Sequence, residues 1–192
     1  MQDVIRIASN PIIAAILQSQ CVGVGEFAPD FELLGADGRS RQLEELIADG
    51  PLVILFLHGR WCPVCLVEME RLRQQAPEIS AAGANFVAIA PDWDFADNGS
   101  TTAPSRVFMV ADPEARIASV YGLTIVVPPD LVENSGLRLP AISDNGERGI
   151  VAPAVLIVDR SGVISWMAIN PDHARLDHAT EAIQELRRLS TA

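Results

Sequence analysis

Six consecutive apolar residues run almost directly into a cysteine pair, and few folds accommodate that. Leu52-Val53-Ile54-Leu55-Phe56-Leu57 offers no polar position to solvent, so a strand built from it must be covered on both faces, as at the centre of an α/β sheet. His58-Gly59-Arg60-Trp61-Cys62-Pro63-Val64-Cys65 follows at once. Leu66, Met69 and Leu72 then open a helix that runs to about residue 82, and Pro77 should bend or restart it. Asn85 to Ala90 is a second buried strand. Strand, helix and strand in that order imply a parallel crossover.

The rest of the chain fits around this unit. Val4, Ile5, Ala8, Ile12, Ala15 and Ile16 recur at helical spacing, so residues 2 to about 20 read as a helix kinked or split by Pro11. Phe31 to Leu34 and Arg39 to Arg41 form a hairpin turning at Asp37-Gly38, and a short helix covers Leu43 to Ala48. Residues 91 to 104 read as a polar loop whose Asp92, Asp94 and Asp97 are solvated rather than cation-binding. Arg106 to Val110 is a strand, and Pro113 to Tyr121 a helix capped by Asp112. Residues 122 to 151 show no period and read as a long loop insertion. Val155 to Val158 and Val163 to Ile169 form a hairpin, and Leu176, Ala179, Ile183, Leu186 and Leu189 give the last helix one apolar face. The expected fold class is therefore α/β, a three-layer α/β/α sandwich around a central mixed β-sheet. Residues 1–25 would be a helical extension and 26–192 the domain.

Cysteines three apart at a helix start lie on one face, about one turn apart. Cys62 then sits where free backbone N–H groups and the helix dipole favour a thiolate, with Cys65 one turn deeper. That is a nucleophile and a resolving partner: Cys62 attacks an electrophilic sulfur or peroxide oxygen, and Cys65 closes the disulfide. Pro63 suits the first helical position because it has no N–H to leave unpaired. Trp61 would wall the thiol from water, His58 could shuttle protons or bond locally, and Arg60 could face the thiolate or solvent. A zinc site needs four ligands. With no second CxxC and with His173 and His178 far along the chain, no metal is expected. Cys21 reads as an ordinary small residue.

Composition narrows the function further. The formal net charge is −11, and every one of the 14 basic residues is arginine. An acidic chain without a basic cluster is a poor partner for nucleic acid or an anionic membrane, and the absence of lysine removes Schiff-base chemistry. The apolar stretch Pro11 to Leu17 is too short to span a bilayer, and no positive region precedes it. With two of the three cysteines in a CxxC, the expected compartment is the cytoplasm.

Over Glu26 to Leu189 the sequence resembles the alkyl hydroperoxide reductase C / thiol-specific antioxidant (peroxiredoxin-like) family of the thioredoxin superfamily. The pieces that carry the resemblance are Gly25-Glu26-Phe27-Ala28-Pro29-Asp30-Phe31, the strand with Trp61-Cys62-Pro63-Val64-Cys65, Ala111-Asp112-Pro113 with Val120-Tyr121-Gly122-Leu123, and Pro153-Ala154-Val155-Leu156-Ile157-Val158-Asp159. The resemblance implies a thioredoxin-like fold, an antioxidant oxidoreductase role, no cofactor, and a thioredoxin- or glutaredoxin-like electron donor. It leaves a homodimer open. Three positions depart from it. The family's proline and threonine, seven and three residues before the peroxidatic cysteine, are Leu55 and Gly59 here, and its peroxide-binding arginine falls on Pro153. Thioredoxin-like reductases instead carry a cis-proline facing the CxxC, so a catalytic role and a cis Ala152–Pro153 bond are expected for Pro153. The leading expectation is a thiol-disulfide oxidoreductase reducing protein disulfides or peroxides. The alternatives are a dedicated hydroperoxide reductase and, from another class, a non-catalytic interaction module switched by oxidation of the pair.

Overall fold

The computed structural model describes residues 10–34, 40–92, 107–169 and 178–189. Its centre is a five-stranded sheet in the order β5-β4-β3-β8-β9, built from β3 (Leu52–Phe56), β4 (Asn85–Ala90), β5 (Val107–Ala111), β8 (Ala154–Val158) and β9 (Ile164–Ile169). β3 pairs in parallel with β4 and antiparallel with β8, so the sheet is mixed, and every residue of β3, β4 and β8 is buried. The apolar hexamer thus supplies the central strand of the sheet, paired along both edges, which its lack of polar positions required.

Because successive strand side chains point to opposite faces, β3 feeds two cores. Leu52, Ile54 and Phe56 pack with Leu46, Tyr121, Leu156 and Ile164 on one face. Val53, Leu55 and Leu57 pack with Cys62, Cys65, Met69, Val155 and Ile183 on the other. The first face is covered by α2 (Leu43–Ile47) and α4 (Arg116–Val120), the second by α3 (Pro63–Ala81) and α6 (His178–Leu189). These are the three layers expected. α3 continues through Pro77, so the proline costs one internal hydrogen bond without ending the helix.

Several elements differ from the sequence reading. Of the two expected effects of Pro11, the fold shows the break: helix α1 is Pro11–Gln20, with the Asn10 carboxamide oxygen accepting from the Ile12 N–H at 2.9 Å; residues 1–9 lie outside the described residues. α4 begins at Arg116, not Pro113, yet the Asp112 carboxylate still accepts from the N–H of Arg116 (2.8 Å) and Ala118 (3.1 Å). The segment 122–151 is not a plain loop. It holds β6 (Thr124–Val126), α5 (Pro129–Ser135) and β7 (Gly149–Val151), with β6 and β7 paired antiparallel. This excursion and α1 share a third core of Leu17, Ile125, Val127, Leu139 and Ile150, and Trp61 packs against it. α1 is anchored where Gln20 Nε2 donates to the carbonyls of Gly122 (2.9 Å) and Thr124 (3.2 Å). β1 (Glu32–Leu34) and β2 (Ser40–Gln42) pair antiparallel as expected; their Asp37-Gly38 turn, most of the 91–104 acidic segment and His173 lie outside the described residues. No helix among the described residues is long and apolar enough to cross a membrane.

Candidate active site

The end of β3 delivers His58 and Gly59 to the start of α3, and the loop between them is shaped by one carboxylate. Asp92, just past β4, accepts the Arg60 N–H at 2.8 Å. Gly59 has φ +132°, and a Cβ there would collide with the Asp92 side chain. A side chain at position 59, where the family's threonine would fall, therefore strains the backbone and displaces the Asp92 carboxylate. Cys62 follows as the N-cap of α3, with Pro63 at the first helical position. The Cys65 N–H donates to Cys62 Sγ at 3.4 Å, so an otherwise unpaired amide of the helix start points at the sulfur.

Both thiols are free. Both are also buried, Cys62 to 1% and Cys65 to 2% exposure. The sequence put Cys65 one turn deeper than Cys62; in the fold neither is open, and Trp61 and Val64 pack against the core that holds both. A hydrogen bond to Cys62, then burial, then the charge on Cys62, hold the Cys65 thiol well above its usual range. Cys65 is thereby held in its protonated form.

His58 is buried, and its Nδ1 lies 3.7 Å from Cys65 Sγ. Its ring meets Trp61 edge-on at 5.4 Å between centroids, which fixes its plane. The sequence placed His58 near the pair; the fold attaches it to Cys65 in particular. Arg60 is exposed beside the site, and so are Pro63, Leu66 and Val67. Pro153 is buried one residue before Ala154, the β8 partner of Phe56, which puts it at the same end of the sheet as the cysteines.

The expected cis bond is absent: there is no cis peptide bond among the described residues. The chain passes straight from β7 to β8, with the Ala152 N–H donating to the Leu123 carbonyl at 2.7 Å. An X–Pro bond prefers trans unless a tight turn selects otherwise, and no turn separates these strands.

One residue escaped the sequence reading. Glu68, three after Cys65 on α3, is buried to 2%. The i, i+3 spacing from Cys65 was the available signal, but a lone glutamate in a helix is ordinarily a solvated one. Cys21, at the end of α1, is half-buried, and burial raises its thiol pKa; it belongs to the other face of the sheet.

Comparison with known proteins places this geometry. Residues 24–167 match the AhpC/TSA family model. The chain is 27% identical over 125 residues to the thiol-disulfide oxidoreductase ResA of Geobacillus thermodenitrificans, covering 62% of this chain and 68% of that protein. It is 35% identical over 68 residues to a putative peroxiredoxin of Mycobacterium tuberculosis, covering 35% of this chain and less than half (44%) of that one. The fold matches peroxidoxin BcpB of M. tuberculosis with a TM-score of 0.63 at 23% identity, over 86% of this chain and 97% of that one. It matches the reduced 2-Cys peroxiredoxin of Plasmodium vivax at 0.64 and 14% identity, over 88% and 83%. With three quarters of its length inside the family model and a dithiol at the start of α3, the chain belongs to the AhpC/TSA family of thiol-dependent oxidoreductases.

Proposed function

We propose that the protein exchanges a dithiol for a disulfide through Cys62 and Cys65, with His58 taking and returning the proton of Cys65. The observation that carries this reading is the placement of Cys65: its sulfur lies within 4.8 Å of Cys62 Sγ and 3.7 Å from His58 Nδ1. In the first step the Cys62 thiolate attacks one sulfur of a substrate disulfide, and the other substrate sulfur leaves and takes a proton from water. In the second, Cys65 gives its proton to His58 Nδ1 and attacks Cys62 Sγ. The substrate's remaining sulfur leaves, taking the proton back from His58. Two electrons pass to the substrate, and the pair ends as a disulfide. A thioredoxin- or glutaredoxin-like dithiol restores it, and the cytoplasm, where such donors keep thiols reduced, is the proposed compartment. Pro153 acts here as a wall of the site.

Peroxide reduction is the second reading, and the burial of Cys62 favours it, since a small oxidant reaches a sulfur that a folded protein does not. Peroxide cleavage, however, needs donors fixed around the departing oxygen. Gly59 and Pro153 supply no side-chain donor where the family's threonine and arginine would stand. Losing one such donor costs about a hundredfold or more. Stopped-flow oxidation by hydrogen peroxide, run beside reduction of a model disulfide, separates the two. Disulfide exchange should dominate, with the peroxide rate at least about two orders of magnitude below that of a peroxiredoxin. A peroxide rate equal to a peroxiredoxin's refutes the assignment.

A further inference from the structure

We propose that the reduced site is also a binding site for one monovalent copper ion, held by Cys62 Sγ, Cys65 Sγ and His58 Nδ1. One ligand atom from each residue lies within 4.8 Å of the other two, and all three side chains are buried. One of these distances already suits a shared metal. A metal with bonds of about 2.3 Å to sulfur and about 2.05 Å to nitrogen holds the two atoms roughly 3.6 to 3.8 Å apart at angles between tetrahedral and trigonal. The observed 3.7 Å between Cys65 Sγ and His58 Nδ1 falls in that interval. The edge-on contact with Trp61 keeps the imidazole in this orientation before any metal arrives.

The donor set selects the ion. Two thiolates and one imidazole are soft to borderline ligands, which suit Cu(I) and Zn(II) and not the hard cations. Zinc asks for four ligands, and the cluster found among the described residues supplies three. Cu(I), a closed-shell soft ion, is satisfied by three. Binding releases to solvent whatever thiol proton the pair still carries and leaves a net charge of −1 on the centre. That charge stands at the N-terminus of the 19-residue α3, where the dipole stabilises it. Closing the Cys62–Cys65 disulfide consumes both thiolates, so ion and disulfide exclude each other. The site then holds copper only in the reduced state. The binding rests on the three-atom geometry and not on the exchange chemistry proposed above.

The test is anaerobic titration of the reduced full chain with Cu(I) against a chromogenic Cu(I) chelator, with X-ray absorption on the loaded protein. One ion per chain is expected, with two sulfurs and one nitrogen around it. Cys21→Ser should bind as the wild type does. His58→Ala should lose the nitrogen and weaken affinity by at least about tenfold. An ion bound by sulfur alone in the wild type overturns the proposal without reference to any variant's folding. So does His58→Ala with unchanged affinity, or Zn(II) held in preference to Cu(I). Disulfide reduction measured on the same metal-free sample reports on the exchange activity separately.

Discussion

Replacing Gly59 by alanine tests how the site loop is held. Two costs meet at this position. The backbone has φ +132°, a region that L-residues avoid, and the new Cβ would meet the Asp92 carboxylate. Holding a non-glycine residue in such a conformation costs about 1–3 kcal/mol. Asp92 is exposed and can swing away, but it then abandons the Arg60 N–H, a charge-assisted bond worth roughly 1.5–3 kcal/mol. If half of that bond is lost, Gly59→Ala destabilises the protein by about 2–4 kcal/mol, which for a chain of this size lowers Tm by roughly 4–16 °C. A double-mutant cycle with Asp92→Ala divides the sum. In that background the collision is gone and only the backbone share, about 1–3 kcal/mol, should remain. Urea denaturation of the four proteins in their reduced state gives the values. A Gly59→Ala protein within about 0.5 kcal/mol of wild type would refute the reasoning, because neither the backbone conformation nor the approach of Asp92 would then be real constraints.

Two further outcomes follow from the thiol pair. Cys65→Ser should leave the first attack intact and accumulate a mixed disulfide through Cys62, visible by mass spectrometry; in the wild type, alkylation should modify Cys62 before Cys65, and the reverse order refutes the assignment. The raised Cys65 pKa also has a stability consequence. Its contribution is complete below the unfolded thiol value of about 8.5 and is lost as pH rises toward the folded value. Between pH 8.5 and 10 the reduced wild type should therefore lose about 2 kcal/mol more than Cys65→Ser in chemical denaturation. Equal losses would show that the thiol is not held protonated.

The sequence carried the middle of the sheet because β3, β4 and β8 are buried on both faces and so are written as unbroken apolar runs. It carried Cys62, Pro63 and Cys65 because a helix start has its own residue chemistry. It did not carry β6 and β7, whose three residues each are too few to show a period. Nor did it carry the start of α4, where Ala115 at φ 48° stands as N-cap without a side chain to announce it. The burial of Cys62 depends on the core it joins with Val53, Leu55, Val155 and Ile183, distant in sequence, and the trans Ala152–Pro153 bond on the direct passage from β7 to β8. No local pattern records that. The glycine at 59 was read as a missing donor, and the fold adds that a side chain there would strain the backbone and displace Asp92.

The alternation along β3 divides the molecule more sharply than its size suggests. Tyr121, sealed with its hydroxyl on the Pro29 carbonyl at 2.9 Å, and both thiols lie on opposite sides of one sheet of backbone. Side chains on the tyrosine side can change in volume and shape while the sulfurs keep the same neighbours. On the thiol side, Val53, Leu55, Val155 and Ile157 set the dielectric that Cys62 and Cys65 experience. Evolution can therefore tune durability on one side and reactivity on the other, with a single pleated layer as the insulator between them.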